Sequence, residues 1–421
     1  MIVDNIHFQY NGMLLGLLIL SISFATFSND VLATVAFTTL LGLKHIFLYV
    51  APAFGAYYLG VLLEISLGQS IILLFQLSLA SLFVLFVTFW PFYQSGAMLD
   101  IMSRLFPVQR GLVHAYWAPN FWALYAGADK VLALLLTRLG LGNLVASQGT
   151  AALTGGLVGT SSFSVLPEVS SGMTAAFTIL AMAPAIVSIM RRPYPGSLCK
   201  SVVYMSLCSF LFGYHVHEKA ILITLIPLAI MAAKGRDPTA PSRYIFLSTI
   251  GTYSLFPLLT EPQEYLIKIF LSATYLSIAI PWLQSPNIWK NLFGIASKKA
   301  PTRTSNHIPE NSTLPATPES SSRTPPYSYR LPGDRTSVRS ALMENQVFIF
   351  LLKDWQIFYL LGIIPVELYS SFIHTRIFGD TKWQFIPLML ISIYCSGGIH
   401  LAWLEMVADY VPMLLKKSKL K

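Results

Sequence analysis

Residues 70–93 read Ser-Ile-Ile-Leu-Leu-Phe-Gln-Leu-Ser-Leu-Ala-Ser-Leu-Phe-Val-Leu-Phe-Val-Thr-Phe-Trp-Pro-Phe-Tyr and contain no charged side chain. The hydrocarbon core of a bilayer is crossed by an α-helix of about 17–25 apolar residues. This stretch is therefore predicted to be a transmembrane helix. The fold of the chain depends on how often such a stretch recurs.

Comparable apolar runs recur along the chain and predict about ten to twelve membrane helices. They lie at about 12–28, 31–63, 119–139, 173–190, 197–214, 220–233, 243–259, 265–284, 346–370 and 384–404. The run at 31–63 is too long for one span and contains Lys44 and His45, which predicts two short helices or one broken helix. Residues 143–166, rich in Gly, Ala, Ser and Thr, are too weakly apolar to assign.

The composition places the chain among polytopic membrane proteins of the all-α class. Of its 421 residues 54% are hydrophobic and only 11% are charged, which excludes an ordinary soluble enzyme. The formal net charge of +9 does not predict nucleic-acid binding, because basic loops are what orients membrane helices. Cys199, Cys208 and Cys395 lie in apolar runs without metal-ligand spacing and are interpreted as small core residues.

Basic loops predict the orientation of the second half of the chain. The loops placed on the cytoplasmic side are Arg191–Arg192, Lys234–Arg243, Lys298–Arg303 and Lys416–Lys421, and the opposite side receives 214–219, 260–265 and 372–383. In the second half every second loop is therefore basic, and the first half does not follow this alternation. Residues 94–118 and 140–171 flank one apolar run yet both look non-cytoplasmic, so one segment there is re-entrant or miscounted.

Four regions follow from these patterns. Residues 1–295 form a multi-helix membrane domain with lumenal loops, 296–340 a disordered cytoplasmic loop rich in Ser, Thr, Pro and Arg, 341–410 the C-terminal transmembrane helices, and 411–421 a basic cytoplasmic tail. Asn311 begins an Asn-Ser-Thr glycosylation pattern that stays unmodified on the cytoplasmic side. Lys417 and Lys419 fit a lysine-based retrieval signal of the endoplasmic reticulum, and a tail that touches anionic headgroups also fits.

Polar side chains crowd into four short stretches between the apolar runs: Asp4–Asn11, Lys44–Tyr49, Arg110–Trp122 and Tyr214–Lys219. Polar groups near membrane depth carry a desolvation cost, so they often mark a pathway or a site. Arginine and lysine can hold a phosphate, and tryptophan faces can stack on sugar rings. An interfacial aromatic belt with snorkelling basic residues accounts for the same residues, and both interpretations stay open.

No stretch predicts a metal centre or a nucleotide site. His215, His217 and Glu218 lack the spacing that places two imidazoles on one helix face, and a hydrogen-bonded cluster at the membrane face fits them better. In that cluster Glu218 could orient a sugar hydroxyl or assist a proton transfer. The glycines at 155–159 lack the Lys-Ser/Thr of a phosphate-binding loop. No cofactor is expected.

The order of the polar stretches carries a resemblance. The motifs are His-Phe-Gln-Tyr-Asn at 7–11, Leu-Lys-His-Ile-Phe-Leu-Tyr-Val-Ala-Pro at 43–52, Leu-Phe-Pro-Val-Gln-Arg-Gly-Leu at 105–112, His-Ala-Tyr-Trp-Ala-Pro-Asn-Phe-Trp at 114–122 and Val-His-Glu-Lys at 216–219. Together they resemble the endoplasmic-reticulum glucosyltransferases that use dolichyl phosphate glucose. The His-Ala-Tyr version resembles the branch that adds the second glucose.

The resemblance implies a GT-C membrane fold and inverting α-1,3 transfer of glucose, on the lumenal side, to a monoglucosylated oligosaccharide on dolichyl diphosphate. It implies a dolichyl phosphate glucose donor, the dolichyl-diphosphate acceptor and membrane lipid as partners, with no nucleic acid. The substrate-binding residues that it implies are His7, Gln9, Tyr10, Asn11, Lys44, Arg110, His114, Asn120, His217, Glu218 and Lys219.

Members of this family begin with a further helix pair and a lumenal loop that holds the general base. The resemblance therefore implies that either this part of the fold, with the catalytic base, lies upstream of Met1 or the protein is a shortened form. Two other functions stay open from the residues alone. One is a catalytically inactive paralogue that binds lipid-linked sugar, and the other is a polytopic lipid or sugar transporter, for which the two halves show no internal repeat.

Overall fold

The computed structural model describes residues 10–105, 111–112, 118–146, 163–235, 237–259, 264–284, 351–379, 383 and 385–415. Within these ranges the chain forms helices and turns and no β-strand. Met1–Leu276 with Leu351–Lys421 forms one compact unit, and Ser277–Phe350 forms a second. Only residues 277–284 of the second unit are described, as the end of a helix. The predicted loop 296–340 and residues 416–421 of the tail lie outside the described ranges.

Thirteen helices are numbered here along the described ranges. They are α1 Asn11–Thr26, α2 Asp30–Leu43, α3 Ala51–Glu64, α4 Leu67–Gln94, α5 Met98–Leu105, α6 Phe121–Arg138, α7 Ser171–Arg191, α8 Pro195–Phe212, α9 Leu222–Lys234, α10 Ala240–Tyr253, α11 Glu264–Gln284, α12 Asp354–Phe378 and α13 Ile386–Leu415. Each predicted apolar run overlaps one of them, except the run at 31–63, which overlaps both α2 and α3. The run at 346–370 differs most, because α12 begins only at Asp354, where Gln356 caps the Lys353 amide.

The chain is a multi-pass membrane protein. Seven segments of the described residues are long and apolar enough to cross a bilayer: His45–Glu64, α4, α7, α8, α11, α12 and α13. The side chains of α4 are mostly exposed, which suits a helix that faces lipid. By contrast α8 is buried all round from Ser201 to Leu211 and packs against α3, α7 and α9, so it forms the centre of the bundle.

The long run at 31–63 is two short helices, as one of the two sequence interpretations predicted. Lys44 has an extended backbone (φ −154°, ψ 111°), which ends α2. The 3₁₀ turn His45–Val50 follows, and Pro52 stands in the first turn of α3, where its missing N–H does no harm. The polar break therefore lies at a real interruption of the helix.

The helices share two chemically different ends. At the end called here the basic end, α7 finishes at Arg191 and α9 at Lys234, and Arg243 of α10 meets Asp409 of α13. At the end called here the site end, α1 begins, α2 and α8 finish and α9 begins. Asn11 and Lys44 meet there across the α1–α2 pair.

The direction of α6 bears on the first half of the chain, where basic and non-basic loops do not alternate. Asn120, just before α6, contacts Ser396, and the Cβ of an alanine at Gly127 would meet Ile393. α6 therefore runs antiparallel to the first half of α13, away from the basic end. This direction favours 119–139 as the miscounted segment.

Candidate functional site

Seven of the predicted substrate-binding residues lie in the described ranges, and all seven lie at the site end. They are Tyr10, Asn11, Lys44, Asn120, His217, Glu218 and Lys219. His7, Gln9, Arg110 and His114 lie outside the described residues. The site can therefore be built from the helix ends that carry the first seven.

Lys44 is held between two neutral groups. Its Nζ donates to Oδ1 of Asn11 at 2.5 Å and lies 5.9 Å from the ring centroid of Tyr10. These contacts arise because α1 and α2 form an antiparallel pair with a short turn, which places the start of α1 beside the end of α2. Asn11 and Tyr10 can orient this cation toward an anionic ligand.

Asn120 has a structural role as the N-cap of α6. Its Oδ1 accepts from the backbone N–H groups of Trp122, at 3.1 Å, and Ala123, at 3.2 Å, and the residue is 3% exposed. Such a cap satisfies amides at the start of a helix that have no partner within it. The predicted contact of Asn120 with substrate stays a prediction.

Trp122 ties the start of α6 to the end of α8. Its indole Nε1 donates to the carbonyl oxygens of Phe212, at 3.2 Å, and Gly213, at 2.9 Å, and the side chain is 1% exposed. A buried indole needs such a partner for its N–H. The contact places Trp122, the last residue of one polar stretch, beside Gly213, the residue just before the polar stretch Tyr214–Lys219.

His215 makes a second tie between these stretches. Its backbone N–H donates to the carbonyl of Leu112 at 3.1 Å, and its Nδ1 lies 2.7 Å from the carbonyl oxygen of Gly111. A carbonyl only accepts, so Nδ1 carries a proton. His215 has φ of +51°, in the left-handed region that few residues other than glycine adopt. These two bonds hold that conformation in place, and such strain gathers at functional sites.

The Val-His-Glu-Lys motif forms a buried turn beneath these ties. Glu218, 1% exposed, places Oε1 3.0 Å from Nδ1 of His217, and Lys219 is buried beside it. Both belong to the 3₁₀ turn Glu218–Ile221, which leads into α9. The nearby phenol of Tyr214 has its pKa raised by burial, so it stays a neutral hydrogen-bond donor. The stretch Tyr214–Lys219 thus offers a carboxylate, an ammonium, a phenol and two imidazoles within six residues.

The chain is similar to known proteins along most of its length. The ALG6, ALG8 glycosyltransferase family matches residues 1–406. The chain belongs to this family. It is 38% identical over 409 residues to the Arabidopsis thaliana protein named dolichyl pyrophosphate Glc1Man9GlcNAc2 alpha-1,3-glucosyltransferase, covering 96% of this chain and 70% of that protein.

Proteins of the same name match in other kingdoms. The Mus musculus protein is 35% identical over 443 residues, which cover 100% of this chain and 70% of the relative. The Schizosaccharomyces pombe protein is 33% identical over 424 residues, which cover 97% and 70%. The chain is therefore a glycosyltransferase, and the helical multi-pass architecture of its described residues agrees with the expected GT-C fold.

Sequence reasoning missed three residues of this glycosyltransferase that hold the site together: Trp122, His215 and Ser396. Trp122 and His215 stood in the polar stretches, but a tryptophan in an interfacial belt shows the same pattern as a buried one. Ser396 gave a weaker signal. It precedes Gly397 and Gly398 inside an apolar run, and small and hydroxyl side chains mark close helix contacts in membranes.

Proposed function

We propose that this glycosyltransferase transfers glucose from dolichyl phosphate glucose to Glc1Man9GlcNAc2 on dolichyl diphosphate, in α-1,3 linkage and with inversion, during assembly of the N-glycan precursor. The proposal rests on the family and on the shared name of relatives from a plant, a mammal and a fungus. The observation that carries it to a mechanism is the convergence of all seven described motif residues on the site end of the bundle.

The reaction is a displacement at the anomeric carbon of the donor glucose. The acceptor hydroxyl oxygen attacks that carbon, the bond to the phosphate oxygen breaks, and its electron pair leaves with dolichyl phosphate. The hydroxyl proton passes to a general base. We do not assign that base to Glu218, whose carboxylate is buried against His217.

Lys44 is the described residue best placed to stabilise the departing phosphate. Charge builds up on that group in the transition state, and a cation oriented beforehand stabilises it without reorganisation. Asn11 and Tyr10 contact the ammonium and fix its position at the end of α2. Arg110 is proposed as a second cation for the same phosphate. His217, Glu218 and Lys219 are proposed to hold sugar hydroxyls, for which paired donors and acceptors are suited.

The site is proposed to face the lumen of the endoplasmic reticulum, with the C-terminus in the cytoplasm. The support is the contrast between the two ends of the bundle. Arg191 and Lys234 end their helices at the basic end, and basic loops stay cytoplasmic. The site end is the opposite one, so it meets the side on which the family transfers glucose.

A transfer assay with defined substrates tests the function. The complete gene product, purified in detergent, is given dolichyl phosphate glucose and either the Man9 or the Glc1Man9 lipid-linked acceptor. The expected product is a diglucosylated oligosaccharide from Glc1Man9 alone. Transfer to Man9 would assign the enzyme to the first glucose instead. Binding of donor without any product from either acceptor would support an inactive paralogue and refute the proposal.

A further inference from the structure

The last membrane helix contacts the candidate site through Ser396. Ser396 lies on α13, is 0% exposed, and donates its hydroxyl to the backbone carbonyl oxygen of Asn120 at 2.6 Å. Asn120 in turn caps α6 with its side chain. This bond therefore holds Asn120, the residue that fixes the start of α6. It comes from α13, a helix that carries none of the motifs of the family resemblance.

His400 stands one turn further along α13 and is fixed by Ser396. Its Nδ1 lies 2.7 Å from the carbonyl oxygen of Ser396 and 3.3 Å from the Ser396 hydroxyl. The carbonyl can only accept, so Nδ1 carries a proton and donates it. In the neutral imidazole this leaves Nε2 bare, and Nε2 is buried without a hydrogen-bond partner among the described residues. The orientation of the ring is thus set by its own helix.

The ring of His400 touches both sides of the site. Its centroid lies 6.0 Å from that of Phe121 and 6.1 Å from that of Phe212. Phe121 follows Asn120, and Phe212 precedes Gly213 and the Tyr214–Lys219 stretch. Trp122 joins the same two segments through its indole N–H. Helix α13 thus contacts both the segment that begins at Asn120 and the segment that ends at Gly213, at the place where these two segments meet.

We propose that Ser396 and His400 are positioning residues for glucose transfer: they set the separation of the Asn120 and Gly213 segments, and through them the alignment of the groups that hold donor and acceptor. The inference rests on the proposed function and adds α13 to its machinery. Small misalignments of reacting groups lower rates by large factors, whereas binding of a long lipid-linked substrate depends on many other contacts. The effect is therefore expected in kcat rather than in KM.

The first test removes one hydroxyl. Ser396→Ala is expected to lower kcat at least about tenfold, with KM for both substrates within about twofold of wild type. Ser396→Thr keeps the hydroxyl and is expected to recover most of the activity. Ser21→Ala is the matched control, because Ser21 is also 0% exposed but donates to Leu18 of its own helix. Equal activity of Ser396→Ala and Ser21→Ala would overturn the proposal.

The second test asks whether the ring of His400 carries the contact with both segments. His400→Phe keeps an aromatic ring beside Phe121 and Phe212 and is expected to keep most of kcat, whereas His400→Ala removes the ring and is expected to lose kcat as Ser396→Ala does. Thermal midpoints are measured for all variants. Losses of kcat that merely follow losses of the thermal midpoint would show a general structural role and overturn the proposal.

Hydrogen exchange of the backbone amides makes the inference independent of turnover. In Ser396→Ala the amides of Trp122 and Ala123, which Asn120 caps, are expected to exchange faster, while the remainder of α6 keeps its wild-type protection. Unchanged exchange would refute the bracing by Ser396 even if wild type is active. A wild-type enzyme that transfers no glucose would instead refute the proposed function, and the exchange result would still decide the contact.

Discussion

Gly213 shows how tightly a single residue constrains the site. A Cβ at this position would lie 2.4 Å from the carbonyl oxygen of Ser209 and 3.0 Å from Cγ2 of Val216. Its φ of −65° is open to any residue, so only the lack of space demands glycine. Gly213→Ala is expected to lower the thermal midpoint, because overpacking costs about 1–3 kcal/mol, and to impair transfer by displacing the carbonyl that Trp122 binds.

Gly55→Ala is the matched control for this substitution. Gly55 lies inside α3, and a Cβ there would meet nothing within 4 Å. Alanine is the better helix former by up to about 1 kcal/mol, so this variant is expected to be as stable as wild type or more so. Thermal unfolding in detergent compares the two. A midpoint for Gly213→Ala at or above that of Gly55→Ala would contradict the packing argument.

The charge of Lys44 is predicted to act in catalysis. Lys44→Gln removes the charge that the Asn11 and Tyr10 contacts orient, and is expected to lower kcat/KM for glucose transfer about 10²-fold, the size usual for loss of one preorganised electrostatic contact. Lys44→Arg keeps a cation and is expected to retain more activity. Steady-state kinetics with varied donor measure both, and equal rates for the two variants would contradict a role of the charge.

At the scale of helices, the apolar pattern predicted well where helices lie and poorly how each helix is oriented in the bundle. The break at Lys44 could be predicted because a charged residue inside an overlong apolar run is a local signal. The behaviour of α6 could not, since its run looked like the others. The contacts with Ser396 and Ile393 of α13 show its direction, and these connect residues more than 250 positions apart. Local periodicity carries no information about such pairs.

The ion pair of Arg243 and Asp409 at the basic end joins two helices, and its loss is predicted to lower the stability of the protein. Arg243, with a 6% exposed side chain, donates to both carboxylate oxygens of Asp409, at 2.6 and 3.1 Å, and so connects α10 to α13. Asp409→Asn would remove the negative charge of Asp409 from beside this buried guanidinium. Breaking such pairs is strongly destabilising, and a loss of about 2–3 kcal/mol is expected here because Asp409 is partly exposed.

Lys353→Ala provides the control for that prediction. Lys353 Nζ also meets a carboxylate of α13, Glu405, at 2.5 Å, but its side chain is 49% exposed. Exposed pairs contribute at most about 1 kcal/mol. Thermal midpoints in detergent are expected to fall clearly for Asp409→Asn and hardly for Lys353→Ala. Equal shifts would mean that burial does not govern the strength of these ion pairs.

For the whole molecule, the family resemblance predicted more than the residues did alone. Composition established a polytopic membrane protein, and the ordered motifs identified the family that the comparisons confirm. Neither could show how the motifs meet. Trp122 reaches Gly213 across 91 positions, and this tie arises from the packing of α6 on the end of α8. The assembly of the site is a property of the bundle rather than of any stretch of sequence.

The last prediction follows from the proposed orientation of the molecule in the membrane. If the basic end faces the cytoplasm, the chain between α11 and α12, which contains Asn311-Ser-Thr, is cytoplasmic as well, and Asn311 stays unglycosylated. Glycosidase treatment is then expected to leave the electrophoretic mobility unchanged, and protease added to sealed microsomes should cleave between residues 296 and 340 without detergent. A glycosidase shift that disappears in Asn311→Gln would place this segment, and with it the basic end, in the lumen. That result would move the candidate site to the cytoplasmic side, away from a lumenal acceptor, because the two ends of the bundle cannot change sides independently.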